Sequence, residues 1–218
     1  AYFLTGTDTE IGKTFITCAL LHRAALDGLR AAGLKPVAAG TDAAGLNDDV
    51  EAIRAASNVE LSRKVINPYC FQAAIAPHIA AADEGVSIEF GLIKASCDAA
   101  RQQADRVIVE GVGGFCVPLG VDHSTADLAV ELGLPVILVV GMRLGCLNHA
   151  LLTGKAILAR GLTMAGWVAN RIDPAMSRFD ENLATLQSLL PAPLLGVVPH
   201  NPAGGVIGAA AFLRLPGA

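Results

Sequence analysis

The sequence predicts an α/β fold, a mostly parallel sheet covered by helices on both faces, and three observations predict it. Short apolar runs alternate with longer amphipathic stretches along the whole chain. The runs are continuously apolar, as strands buried on both faces must be. The first run, Tyr2-Phe3-Leu4, passes through a glycine-bearing turn straight into a helical pattern.

Taken in order, the expected strands are Tyr2–Thr5, Leu34–Ala39, Arg106–Glu110, Pro135–Val140, Met164–Asn170 and Leu194–Val198. The expected helices are Lys13–Asp27, Asp48–Ala56, Ile88–Gln103, Ala126–Glu131, Asn148–Arg160 and Arg178–Leu190. Gly33, Pro36, Gly133, Pro135, Gly161 and Pro191 sit at the joints, where a left-handed turn or a missing N–H ends an element. Val59–Ser87 is the least regular stretch, with Asn67-Pro68-Tyr69, Ala76-Pro77-His78 and Glu84-Gly85, and reads as a long functional excursion. The tail Asn201-Pro202-Ala203-Gly204-Gly205 is glycine-rich, with no element assigned to it. The 218 residues suffice for one sizeable core and are read as one domain, residues 1–218.

Composition removes several function classes. Hydrophobic residues make up 53% and charged residues 17%, and the mean hydropathy is +0.51. The most apolar stretch, Leu134 to Val140, lies before Gly141 and falls far short of the roughly 20 residues a spanning helix needs, so it reads as a buried strand. Much of the apolar excess is alanine, which suits tightly packed helices. The net charge of −4 with no basic cluster argues against nucleic acid as a partner, and no membrane partner is expected. Cys18, Cys70, Cys97, Cys116 and Cys146 are odd in number without C-x-x-C spacing, so they read as small buried residues. The strand pattern begins at Tyr2; no signal or transit segment is expected, and a cytoplasmic location is.

The turn itself is Gly6-Thr7-Asp8-Thr9-Glu10-Ile11-Gly12-Lys13-Thr14, one residue longer between its glycines than the common phosphate loop. Between a strand and a helix, such a turn points successive backbone N–H groups into one concavity beside the positive end of the helix dipole. Lys13 would reach the β- and γ-phosphates and the Thr14 hydroxyl would meet magnesium. The alternative is a turn whose glycines merely permit tight packing. The first reading makes the fold one of P-loop NTPase type and the ligand a nucleoside triphosphate.

In open parallel sheets ligands sit at the carboxyl ends of the strands, so the polar residues there are the next candidates. Glu110 ends Val107-Ile108-Val109 as the acid of a Walker B strand does, where it would hold magnesium directly or through water. Gly111, Gly113 and Gly114 after it let backbone approach a ligand, which an ordinary surface glutamate would not require. Asp48 and Asp49 either cap a helix or serve the site. Lys35, inside Leu34-Lys35-Pro36-Val37-Ala38, is costly unless its charge is paired. Its partner is a phosphate or substrate anion, or else Asp49 or Glu110. The five histidines show no metal-ligand spacing, and Asp122-His123-Ser124, adjacent in sequence, forms no triad.

Together with Thr5–Thr14, the segments Lys35-Pro36-Val37, Asn67-Pro68-Tyr69, Ala76-Pro77-His78, Val109–Gly114, Leu144-Gly145-Cys146-Leu147-Asn148-His149 and Gly166–Asn170 resemble dethiobiotin synthetase, in order and over roughly residues 2 to 200. That family has the same longer phosphate loop. The resemblance implies an ATP- and Mg2+-dependent ligase, a homodimer, that carboxylates 7,8-diaminononanoate with CO2 and closes the cyclic urea of dethiobiotin through a carbamate and a carbamic–phosphoric anhydride.

It also implies roles. Lys35 and Lys13 are the catalytic lysines, and Thr14, Asp49 and Glu110 the magnesium ligands. Glu10, Ile11, Gly12, Phe15, Gly111, Val112, Gly113, Asn170, Arg171, Pro199, His200 and Asn201 join Lys13, Thr14, Asp49 and Glu110 around ATP, with Asn170 at the adenine edge. Thr9, Lys35, Thr41 and Gly113 face the diamine, and Cys146, Leu147 and Asn148 receive the substrate carboxylate at a helix N-terminus across the dimer interface.

Two departures stand out. Ala39 lies where the family often has a hydroxyl residue, with Thr41 a substitute, and the tail after Asn201 is short and alanine-rich. The rival class is a partition-type switch ATPase, acting through a protein partner. Such proteins carry a lysine early in the loop, where this chain has Thr7 and Asp8, and no amphipathic membrane-targeting tail is visible. An amidotransferase-linked synthetase of cobalamin biosynthesis would need a glutaminase domain, for which 218 residues are too few.

Overall fold

The computed structural model describes residues 1–217. In chain order the elements are β1 (Tyr2–Gly6), α1 (Lys13–Leu26), β2 (Ala31–Leu34), β3 (Val37–Ala39), α2 (Asp48–Ala56), α3 (Arg63–Ile66), β4 (Tyr69–Phe71), α4 (Pro77–Asp83) and α5 (Phe90–Gln103). They continue as β5 (Arg106–Glu110), α6 (Thr125–Leu132), β6 (Val136–Gly141), α7 (Cys146–Ala159), β7 (Met164–Asn170), α8 (Phe179–Leu189), β8 (Leu194–Val198) and α9 (Gly205–Ala209). Six strands form one parallel sheet in the order β2-β5-β1-β6-β7-β8, and β3 and β4 form a small parallel sheet of their own.

Both faces of the large sheet are covered, as the continuous apolar runs require. Side chains alternate in direction along a strand, so Leu4, Ile108, Ile137 and Val139 pack with Ile16, Leu20 and Leu21 of α1. Phe3, Val109, Val136 and Leu138 pack on the opposite face with Ile93 of α5, Leu128 of α6 and Ile157 of α7. β6 is buried along its whole length, as expected of a central strand rather than a membrane segment. No described helix is long and apolar enough to cross a membrane.

The structure corrects or completes four expectations. The single strand Leu34–Ala39 is two strands, in different sheets, broken at Lys35-Pro36. Pro36 has no N–H to give a ladder, and a proline within an apolar run argues against one central strand. The excursion Val59–Ser87 is structured, containing α3, β4 and α4. The glycine-rich tail folds back: α9 and a 3-10 turn at Ala210–Phe212 pack against α1, and Leu213 bridges Gly196 of β8. The five cysteines are all free, but only Cys18, Cys97 and Cys146 are buried; Cys70 and Cys116 are exposed.

Candidate nucleotide and carboxylation site

The turn after β1 is held from three sides. Gly12 caps α1 at φ +84°, and a Cβ there would lie 2.3 Å from Asn170 Nδ2. The Asn170 amide, at the end of β7, donates to Ile11 O at 2.8 Å. The Thr7 amide donates to Val139 O of β6 at 3.0 Å, and Arg143 pairs with Asp8 at 2.7 Å. Lys13 is buried and its ammonium donates to Asp8 O at 2.7 Å. Burial and the neighbouring Lys35 push its pKa down to about 8, against the pull of Glu110, Asp49 and Asp8.

Beside the turn lies a buried charge cluster. Glu110 ends β5, next to β1 in the sheet, so its carboxylate comes to the start of α1. Its Oε1 accepts from the Thr14 hydroxyl at 2.7 Å and from Lys35 Nζ at 2.6 Å, and its Oε2 accepts from the Thr17 hydroxyl at 2.6 Å. Lys35 Nζ also lies 3.2 Å from Asp49 Oδ2 and donates to Gly111 O at 3.3 Å. Burial works against the Lys35 charge, yet Glu110 and Asp49 hold its pKa above the ordinary lysine value. Burial likewise disfavours the Asp49 carboxylate, but Lys35 and the Thr14 hydroxyl outweigh it and hold the pKa below the usual range. The partners left open for Lys35 therefore include both Glu110 and Asp49.

Local sequence explains each placement. The break at Pro36 leaves Lys35 at the carboxyl end of β2, aimed at the neighbouring β5 end. Asn67 fixes it there, donating to Lys35 O at 2.6 Å and to Tyr69 O at 2.9 Å, which gives the Asn67-Pro68-Tyr69 segment a structural role. Asn47 caps α2, accepting from Val50 N at 3.2 Å, and its Nδ2 donates to Gly40 O at 2.7 Å, so Asp49 stands in the first helical turn. Asp48 is exposed and reads as the dipole-side acid of that turn.

A cleft of about 790 Å³ opens over this cluster, lined among others by Thr9, Glu10, Gly12, Lys13, Thr14, Lys35, Asp49, Val112 and Gly113. Its lining also includes the apolar residues Ala38, Ala39, Ala74, Ile75, Ala76, Pro77 and Val117. Ala39 lines the cleft, and Thr41 is not among the residues lining it. Ile11 and Phe15 turn into the core under the loop, and Gly111 packs against the Phe3 ring.

Arg171 stacks on the Phe179 ring at 4.8 Å from its centroid and donates to Pro174 O, away from the cleft. Pro199, His200 and Asn201 follow β8, whose last residue pairs in register with Asn170, so the two loops lie side by side. Cys146, Leu147 and Asn148 open α7 on a left-handed Gly145, apart from the cleft lining of the same chain.

The donor set suits magnesium. Two carboxylates and one hydroxyl are too few for an all-protein cage, and no group of three or more His, Cys, Asp or Glu among the described residues could hold a metal alone. Hard oxygens that leave positions for water and nucleotide phosphates are the usual surroundings of magnesium. Asn47, Thr17 and the Ala74–Ile75 wall had no sequence signal, and Thr17 stands out only afterwards as the hydroxyl one turn beyond Thr14.

A family model described as an AAA domain matches residues 1–205. The ATP-dependent dethiobiotin synthetase BioD of Aromatoleum aromaticum is 63% identical over 220 residues, spanning 100% of this chain and 98% of that protein. Among solved structures, the MinC:MinD cell division protein complex of Aquifex aeolicus matches with a TM-score of 0.56 at 12% identity, covering 97% of this chain and 95% of that one. A ParA family ATPase from Chlorobium tepidum matches with 0.55 at 12%, covering 96% and 88%. These structural likenesses establish the P-loop fold.

Proposed function

Because the chain belongs to the family of ATP-dependent dethiobiotin synthetases, we propose that it converts 7,8-diaminononanoate, CO2 and ATP to dethiobiotin, ADP and phosphate. The observation that carries this reading is the meeting of Lys35, Glu110, Asp49 and Thr14 beside the phosphate loop, under a cleft lined by both polar and apolar residues. Phosphate chemistry needs the polar residues of that lining, and an aliphatic diamine the apolar ones.

One amine of the substrate adds to CO2 and loses a proton, giving a carbamate. A carbamate oxygen attacks the γ-phosphorus and ADP leaves. The second amine then attacks the carbonyl carbon of the mixed anhydride, closing the urea ring and expelling phosphate. Bringing the carbamate against the γ-phosphate sets two anions together, so charge neutralisation and in-line positioning supply most of the rate.

Lys13 steadies the β- and γ-phosphates. Lys35 neutralises the carbamate and the transferring phosphoryl group. Thr14, Asp49 and Glu110 would hold Mg2+, which would supply positive charge against the triphosphate. Backbone N–H groups of the turn over Glu10–Phe15 cradle the phosphates, Val112 and Gly113 border the reacting end, and Asn170 with Pro199–Asn201 receives the base. Thr9 contacts the diamine, whose chain runs along Ala38, Ala39 and Val117.

The start of α7, at Cys146–Asn148, receives the far carboxylate from a second subunit, which suits its position off the cleft of its own chain. The enzyme on this reading is a cytoplasmic homodimer. The test is phosphate release from Mg-ATP with and without 7,8-diaminononanoate and bicarbonate, with product mass. One phosphate per dethiobiotin, dependent on the diamine, is expected; hydrolysis indifferent to the diamine would overturn the reading.

A further inference from the structure

Thr17 is fully buried on α1, three residues beyond Thr14 and so on the same helical face. A helical threonine hydroxyl commonly bonds the carbonyl one turn back. This one donates to Glu110 Oε2, from 93 residues away in sequence, at 2.6 Å. One helix face thus gives one hydroxyl to each oxygen of the carboxylate: Thr14 to Oε1 and Thr17 to Oε2. The two oxygens differ in their other company, for Lys35 reaches Oε1.

We propose that Thr17 is a positioning residue for the divalent cation: by holding Oε2 it fixes the rotation of the Glu110 carboxylate, so that Oε1 stays where Thr14, Lys35 and Asp49 meet. The inference rests on the reading of Thr14, Asp49 and Glu110 as the cation-holding set. A buried carboxylate oxygen that loses its donor must find another. Without the Thr17 hydroxyl the carboxylate turns toward the remaining donors, Thr14 and Lys35, and Oε1 leaves its place. Partners of this kind, which orient a metal ligand without touching the metal, typically change metal affinity about 10- to 100-fold.

The experiment measures Mn2+ binding to the protein–ADP complex by electron paramagnetic resonance, beside metal-free ADP affinity. Thr17→Val, nearly equal in volume, is expected to weaken Mn2+ binding about tenfold and to leave metal-free ADP affinity unchanged. Thr17→Ser is expected to restore the wild-type titration. Unchanged Mn2+ binding in Thr17→Val, or an equal loss of metal-free ADP affinity, would overturn the inference. Should Thr17→Val not fold, Thr17→Ser against Thr17→Ala makes the same comparison, and serine no better than alanine overturns it. Glu110→Gln in the same titration separates the two readings. If it leaves Mn2+ binding unchanged, the cation set itself fails; if it weakens binding while Thr17→Val does not, only the role of Thr17 fails.

Discussion

Lys35 Nζ lies 2.6 Å from Glu110 Oε1, with both side chains almost wholly removed from solvent. This ammonium also lies 3.2 Å from Asp49 Oδ2, so one buried cation serves both carboxylates proposed to hold magnesium. On that proposal the lysine and the metal would draw on the same negative charge.

On the proposed function, replacing Lys35 by Gln removes one competitor for Glu110 and the charge that would meet the carbamate. Turnover is expected to fall about 10²- to 10³-fold, the cost of losing one preorganised charge at the reacting centre, while ATP binding persists. The same variant should melt at lower temperature without metal, because Glu110 loses its buried counter-ion, and should gain more melting temperature from Mg2+ than the parent. Calorimetric melts with and without Mg2+ check this; an equal metal response in both proteins would count against shared use of Glu110.

Asp49 is about half exposed, its side chain retaining 46% of its accessibility. Asp49→Asn should change stability by no more than about 1 kcal/mol, yet raise the Mg2+ concentration for half-maximal turnover about tenfold or more. A metal titration of activity decides it.

Lys13 gives a pH dependence with a definite sign. Its pKa of about 8 lies below the 10.5 of a free lysine, so between those values the folded protein binds fewer protons than the unfolded chain. The buried charge costs stability below pH 8, and that cost is relieved as pH rises toward 10.5. Phosphates beside Lys13 raise its pKa again, so ATP binding above about pH 8 should take up a fraction of a proton and weaken as pH rises. Calorimetry in two buffers of different ionisation heat measures the uptake, which Lys13→Met should abolish.

At Gly12, φ +84° costs an L-residue roughly 1–2 kcal/mol and an added methyl would meet Asn170 Nδ2 at 2.3 Å. Gly12→Ala should therefore lower the melting temperature and weaken ATP binding together, since the displaced Asn170 lets go of Ile11 O. Thermal melts and nucleotide titrations test the pair.

Legibility in the sequence followed the range of the interaction. The phosphate turn is local, written in consecutive residues from Gly6 to Thr14, and Glu110 announced itself at the end of an apolar run before three glycines. Thr17 acts through Glu110, which only the folded chain brings near, and Asn47 reaches the Gly40 carbonyl, whose direction no sequence pattern records, besides capping its own helix. The break at Pro36 was readable from proline's missing N–H but was overridden by the apolar run around it. The tail looked featureless because its helix is held by packing on α1 and by the close approach of Gly196 to Phe212 O, where a Cβ would lie 2.0 Å away, rather than by its own residues.

The split at Lys35-Pro36 also divides the cleft lining between two sheets. The phosphate turn and Glu110 hang on the six-stranded sheet, and Ala38 and Ala39 hang on the two-stranded one. Lys35 is the hinge pin between them. On the proposed function, side-chain changes on the smaller sheet, at Ala39 for example, would tune which amine is accepted without moving the groups that meet the triphosphate.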